Sequence, residues 1–333
     1  MDQAPKVSGV KQQGTQNERK RIRLMLLSEN EREKQDASRP RSMTPEKHTI
    51  NSQNVVFIGA SHIFNAPEED RPALKNQISS CLQEFASENQ DKNNIYIVEG
   101  EIPTEEYIEQ NQEDEKAIVL RAAKEKNAEY ISGDPSRAQL YDMMQESEEF
   151  SELAEIKIES LGNFSKGDLT LLYFFFRDCN LESGISNKNI NTICNIISKF
   201  DNFTFLNTAE LKKVLDSYPQ AINKEELIQK SLPLVQEIIN QLSLVQTFFE
   251  ENYNGQSPKD VVEDYDSSQD TENEPNLRKG INSIAAIVRR ERDVFLVEQI
   301  QNQTSYGKNV VVVFGASHQT RTRPVLKSIS QEE

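Results

Sequence analysis

Two near-copies of one stretch decide the fold of this chain, VVFIGASH at residues 55–62 and VVVVFGASH at residues 310–318. Each is a run of mostly β-branched residues that ends in the tetrapeptide GASH. A continuously apolar run of this length is typical of a strand that is covered on both faces, as in a parallel sheet between helices. His62 and His318, two of the chain's three histidines, close these stretches.

Strands and helices alternate along most of the chain. The apolar runs predict strands at residues 55–58, 95–98, 129–131 and 310–314. Helical periodicity predicts helices at residues 67–88, 115–126, 135–147 and 280–302. We expect Pro67 to be the first residue of its helix, and Asp134 to cap a helix that starts at Pro135. This order predicts an α/β fold with a central, mainly parallel sheet flanked by helices.

Composition divides the rest of the chain. Residues 1–50 are rich in Gln, Lys, Arg, Glu and Ser, which predicts a polar tail that is disordered or partly helical. Residues 51–333 then form a single α/β domain. Residues 148–250 show no clear strand and carry apolar residues three and four apart, which predicts an all-helical insertion with its aromatic residues in the core. Residues 251–279 are acidic and rich in Ser, Asn and Pro, which indicates a flexible loop.

Charge and hydropathy limit the partners. The formal charge of −16 argues against nucleic acid, because phosphates repel an acidic surface. The longest apolar run, residues 169–176, is far short of the ~20 residues that span a bilayer. The polar N-terminus lacks the apolar core of a signal peptide, and three cysteines without a CxxC pair suit a reducing compartment. We therefore expect a cytoplasmic protein that acts on a small-molecule or peptide substrate.

Polar residues follow the predicted strands at one edge. Ligands of open α/β sheets bind outside the carboxyl ends of the strands, which is where both GASH sequences lie. The second strand runs into Glu99 and Glu101, on either side of a glycine, and the third strand leads to Asp134. If the strands are neighbours, two imidazoles and at least one carboxylate meet at this edge.

Two kinds of chemistry suit such a set. His62, Glu99 and His318 could hold a divalent metal ion, because two histidines and a glutamate leave a position open for water. Without a metal, a histidine could act as general base with the glutamate as its orienting partner. The sequence does not choose between these alternatives, and it does not say whether Glu99 or Glu101 faces the site.

The ordered set of motifs resembles the TraB/GumN and TIKI family, within the superfamily of erythromycin esterases and ChaN-like proteins. The two GASH sequences match the two GxxH motifs of that family, and Glu99 matches its strand-end glutamate. Asp134 matches a later strand-end motif more loosely, and Glu291-Arg292-Asp293 matches a helical motif before the last strand. The match covers about residues 53–320. The resemblance implies a hydrolase of peptide or ester bonds that uses His62, Glu99 and His318.

The resemblance also bears on substrate binding, for which we single out Arg292, Glu101, Asp134 and Arg321. It implies that Arg292 binds an anionic group or ties down a carboxylate of the site. The alternative is a structural ion pair with the neighbouring strand ends. The glycine that often follows the second histidine in the family is missing, and HQTRTRP stands there instead. Arg321 in that stretch could bind an anionic substrate or be solvated. The alternative to a hydrolase is a protein that keeps the fold without turnover and binds haem, an anionic ligand or a protein partner.

Overall fold

The computed structural model describes part of the chain, in two compact units. The described residues are 16–27, 45–60, 63, 67–90, 93–100, 102–111, 114–147, 150, 157–158, 162–163, 174, 193, 211, 213–214, 229–240 and 276–331. The first unit comprises residues 1–136 with 290–333, and the second comprises residues 137–289.

The sheet and the candidate site belong to the first unit. The strands are β1 (Glu46–Ile50), β2 (Gln53–Ala60), β3 (Asn94–Val98), β4 (Glu129–Ser132) and β7 (Asn309–Gly315). The helices are α1 (Gln16–Met25), α2 (Arg71–Glu88), α3 (Glu105–Gln110), α4 (Glu115–Glu125), α6 (Asn276–Ser305, which begins in the second unit) and α7 (Ala316–Gln331). In the second unit lie α5 (Arg137–Gln145), β5 (Lys157–Ile158) and β6 (Gly162–Asn163).

Among the described residues, five strands form one mixed sheet in the order β1-β2-β7-β3-β4. Strands β2, β7, β3 and β4 are parallel to one another, and β1 runs antiparallel along the edge of β2. The last strand of the chain is therefore the central one. Sequence and structure agree on an α/β fold with a mainly parallel sheet, and all four predicted strands are confirmed.

Helices cover both faces of the sheet, which explains why β2, β3 and β7 are largely apolar along their length. On one face, Val56, Tyr96 and Val311 pack with residues of α2 and α4. On the other face, the alternate residues Phe57, Ile97 and Val312 pack with Leu296 of α6 and Leu326 of α7. Successive side chains of a strand point to opposite faces, so a strand buried on both faces has no polar side to show.

The predicted insertion is helical in most of what is described. Residues 229–240 form a helix in which Val235, Ile238 and Ile239 are buried. Phe174 is fully buried, as expected of the aromatic residues, while its neighbours at 173, 175 and 176 lie outside the described residues. The antiparallel pair β5–β6 departs from the expectation of no strand, because two residues per strand are too few to show a periodicity.

The polar tail is the main correction to the sequence-based picture. Residues 16–25 form α1, with Arg19 and Ile22 buried, and residues 46–50 form β1. The disordered alternative is wrong for these residues, α1 agrees with the partly helical alternative, and β1 was not expected. Ion pairs to Glu298 and Glu291 and the burial of Ile22 hold α1 where its composition indicates no core. Residues 1–15 and 28–44 lie outside the described residues.

Helix boundaries differ from the predictions in three places. Helix α2 begins at Arg71 after Asp70, and Pro67 lies in the preceding turn, where its carbonyl accepts a hydrogen bond from Asp70. Helix α5 begins at Arg137 rather than at residue 135. Helix α6 begins at residue 276, so the last residues of the predicted acidic loop are helical, while residues 251–275 lie outside the described part.

Within the described ranges, no helix combines the length and the apolar character that crossing a membrane requires.

Candidate active site at the carboxyl edge of the sheet

The two GASH sequences lie at the ends of neighbouring strands. Ala60 of β2 pairs with Gly315 of β7, and β3 flanks β7 on its other side. The carboxyl ends of β2, β7, β3 and β4 therefore share one edge, as the sequence predicts. His62 and Glu101 lie outside the described residues, so the edge is known from the groups that follow β3, β4 and β7.

Glu99, the first residue after β3, is held on both carboxylate oxygens. Its Oε1 accepts a hydrogen bond from Arg292 Nη2 at 2.7 Å, and its Oε2 accepts one from the backbone N–H of Gly315 at 2.8 Å. Burial by itself raises the pKa of Glu99, but the proximity of His318, the charge of Arg292 and these hydrogen bonds lower it to about 2. The side chain is therefore a carboxylate at any physiological pH.

Arg292 joins two strand ends. Its Nε donates to Asp134 Oδ1 at 2.6 Å and its Nη2 donates to Asp134 Oδ2 at 2.9 Å, in addition to the bond to Glu99. Burial alone lowers the pKa of the guanidinium, but Asp134 and Glu99 raise it. Of the two roles that the resemblance implies for Arg292, tying down carboxylates is the one its contacts display.

Asp134 does not act as the predicted helix cap. Its Oδ2 accepts a hydrogen bond from the backbone N–H of Gly100 at 2.6 Å, besides the two from Arg292. Gly100 has a φ of +76°, a left-handed conformation that glycine adopts without a steric cost and that aims this N–H at Asp134. The Asp134 carboxylate thus links the residue that follows β3 to Arg292 of α6. A sequence that resembles a helix cap could not reveal these contacts.

His318 lies in the first turn of α7 and is 6% exposed. Its Nδ1 hydrogen-bonds to Asp293 Oδ1, and its Nε2 faces Glu99 Oε1 at 3.6 Å. The ring packs edge-on against Phe314, with 5.4 Å between the ring centroids. The imidazole therefore lies between two carboxylates: Asp293 bonds to Nδ1 and Glu99 faces Nε2.

Arg321 is buried rather than exposed to a substrate or to solvent. It is 4% exposed, and its Nε lies 2.7 Å from Asp293 Oδ2. This contact is an ion pair without the alignment of a hydrogen bond. The solvated alternative for Arg321 is therefore wrong. Its contact with Asp293 places its charge beside the carboxylate that bonds to His318, and a role in binding an anionic substrate stays a prediction.

Sequence reasoning missed Asp293 as a site residue. Asp293 is fully buried on α6 and meets both His318 and Arg321. The signal was its place in the triplet Glu291-Arg292-Asp293, of which only Arg292 was assigned a role. Residues 292 and 293 are 100° apart on a helix, so they can serve two different partners at the same strand edge.

The described residues include two of the three predicted metal ligands, Glu99 and His318. No group of three His, Cys, Asp or Glu side chains in the described part of the chain could hold a metal ion. His318 Nε2 and Glu99 Oε1 are nonetheless suitable donors, because two ligands of one zinc-like ion lie at most about 4.2 Å apart. Asp293 bonds to the other ring nitrogen, and histidines that bind a metal usually donate that second N–H to a carboxylate or a carbonyl. The pair therefore fits two of the three predicted ligands.

Comparisons with known proteins add no relative to this picture. No family model, no curated protein and no solved structure matches the chain.

Proposed function

We propose that this edge hydrolyses a peptide or ester bond, with His318 as the group that activates water. The observation that carries the proposal is the position of His318 between two carboxylates. Asp293 bonds to its Nδ1, and its Nε2 faces Glu99 Oε1 at 3.6 Å. The proposal includes membership of the TraB/GumN and TIKI family, on the two GASH sequences and Glu99.

Asp293 determines which nitrogen of His318 can act as a base. A carboxylate that accepts from Nδ1–H stabilises the neutral tautomer whose lone pair is on Nε2. The second oxygen of Asp293 lies against Arg321, so the carboxylate is held from both sides. Nε2 is then the nitrogen that takes the proton of an attacking water.

Glu99 supplies negative charge and not a proton. Its pKa of about 2 leaves no acid form near neutral pH, so it cannot be the general acid. Once Nε2 is protonated, a carboxylate at 3.6 Å stabilises the imidazolium. The fixed Arg292 and the Gly315 N–H keep Glu99 in this position without further reorganisation.

A divalent metal ion is the second form of the proposal. His318 Nε2, Glu99 and His62 would hold it, and when bound it would lower the pKa of a water molecule and polarise the scissile carbonyl. In that form, Asp293 orients the ligand His318 instead of a base, and Arg292 fixes the orientation of Glu99.

The test combines metal analysis with hydrolysis. The purified full-length chain is assayed against p-nitrophenyl acetate and a peptide mixture, beside His318→Gln and Asp293→Asn, and its metal content is measured. General-base catalysis typically contributes about 100- to 10,000-fold, so we expect His318→Gln to lose at least about 100-fold in rate. Asp293→Asn should shift the pH–rate profile, which a merely structural aspartate would not do.

His48 provides a matched control. It is the third histidine, its side chain is 6% exposed, and it lies on β1 opposite Val55, at the start of β2 and away from the carboxyl edge. His48→Gln should keep both activity and metal. Equal activity of His318→Gln and wild type, with both folded, would contradict the proposal. A folded wild type without turnover would favour the non-catalytic ligand-binding alternative.

A further inference from the structure

A groove lies on the face of the sheet opposite α6 and α7. It runs between α2 and α4 and has a volume of about 360 Å³. Its floor consists of buried side chains, among them Leu82, Ala86, Ile118 and Tyr96, which are 3%, 8%, 7% and 1% exposed. Pockets for small ligands typically have volumes of about 300–1,000 Å³ and apolar walls.

Tyr96 brings a polar group to this apolar floor. Its ring packs edge-on against Phe85, with the centroids 6.1 Å apart, and it lines the groove. Among the described residues, none forms a hydrogen bond with its hydroxyl. Burial raises the pKa of the phenol, so the hydroxyl keeps its proton and can donate it to a ligand.

The rim of the groove is cationic in an acidic protein. Lys75, Arg121 and Lys126 face one carboxylate, Glu125, so three positive charges against one negative charge leave +2. The whole chain carries −16. Lys75 and Lys126 make no ion pair with any carboxylate in the described ranges, whereas Lys124 on the same helix pairs with Glu105 at 2.8 Å. The groove therefore concentrates positive charge around an apolar floor.

We propose that this groove binds a small amphiphilic anion. The apolar body of the ligand would lie on Leu82 and Ile118, and its anionic group would reach Lys75 or Lys126, with the Tyr96 hydroxyl as a hydrogen-bond donor. The helices that form the groove cover the face that α6 and α7 do not, so this proposal does not depend on hydrolysis at His318.

Calorimetric titration of the full-length protein tests the ligand class. Three probes separate the contributions: decanoate carries both the apolar body and the anion, acetate carries only the anion, and decyltrimethylammonium carries the same body with the opposite charge. We expect saturable binding of decanoate below its micelle concentration and none of the other two. Absence of decanoate binding, or equal binding of the cationic probe, overturns the proposal.

Variants assign the binding to the groove. Ala122→Phe fills the groove without changing its charge and should abolish binding. Tyr96→Phe should weaken binding about 3- to 10-fold, the worth of one hydrogen bond. Lys126→Gln should weaken it about 2- to 5-fold, while the control Lys124→Gln should leave it unchanged.

Two further measurements distinguish loss of the fold from loss of the binding site in a variant that does not bind decanoate. Thermal unfolding of each variant identifies any that fails to fold, and the Lys126→Gln and Lys124→Gln pair then carries the test. His318→Gln should bind decanoate as the wild type does, which separates this site from the proposed active site. Unchanged binding by Ala122→Phe would locate the ligand elsewhere and overturn the inference.

Discussion

Replacing Glu99 by Gln gives a quantitative test of the strand-edge network. Gln has the same shape and its oxygen can still accept the hydrogen bond from the Gly315 N–H. Its NH2 group then faces Arg292 Nη2, which loses its acceptor, and the side chain carries no charge for Arg292 or His318. Arg292 remains paired with Asp134, so the variant leaves no buried cation without a partner. The substitution therefore removes the charge of Glu99 with little change in packing.

The magnitude follows from the pKa of Glu99. The folded-state value of about 2 lies well below the roughly 4.3 of an ordinary glutamate. Each pKa unit corresponds to about 1.4 kcal/mol, so the carboxylate contributes about 3 kcal/mol to folding at neutral pH. The folded pKa is lowered, so this stability is present above the unfolded-state pKa and is lost as the pH falls through the folded-state value. The side chain is 21% exposed, which limits solvent screening.

Urea unfolding from pH 7 to pH 3 measures this term. Wild type should lose about 2 kcal/mol more than Glu99→Gln between pH 6 and pH 3, so the two stability curves converge as the pH falls. Glu105→Gln is the control, because Glu105 also has a lowered pKa through Lys124 but is exposed and should affect stability little. Parallel curves for wild type and Glu99→Gln would refute the reasoning, because they would show that the ionisation of Glu99 is not coupled to folding.

Two other predictions concern α1 and two glycines. Arg23→Leu should lower the free energy of unfolding, measured with urea, by about 3 kcal/mol. It leaves the fully buried Glu291 with only Arg290, at 3.4 Å, as an ion-pair partner. Adding Glu291→Gln should restore part of the lost stability. Undiminished stability of Arg23→Leu would show that α1 is not held by this ion pair. A Cβ at Gly133 would lie 2.5 Å from Phe314, so Gly133→Ala should cost about 1–3 kcal/mol that Phe314→Leu partly recovers. Gly307→Ala meets no atom within 4 Å but has a φ of +73°, so its cost of about 1–2 kcal/mol should not respond to Phe314→Leu.

The candidate site was predictable to the extent that it follows from strand ends. The apolar runs located β2, β3 and β7, and the parallel order of the strands brings the residue after β3 and the second GASH to one edge. Glu99 and His318 are therefore found from sequence. The role of Asp293 and the burial of Arg321 could not be predicted from the sequence. A charged residue on a helix has the same local sequence pattern whether it faces solvent or a histidine.

The N-terminal tail shows the same limit. Its composition resembles that of a disordered segment, yet α1 is held by Arg19 on Glu298 and by Arg23 on Glu291. Composition reports how much apolar surface a segment can bury by itself. It gives no information about the buried carboxylates of Glu291 and Glu298, which lie on α6 at the spacing that Arg23 and Arg19 require.

Local sequence patterns were enough to predict the fold class and two residues of the candidate site, Glu99 and His318. Continuous β-branched runs specify strands locally, since such residues suit a strand buried on both faces and need no knowledge of distant partners. The partners of the charged side chains could be identified only from the tertiary structure. Glu99 lies 193 residues from Arg292 and 216 from Gly315, and ion pairs are selected by distance in space, which no local pattern encodes.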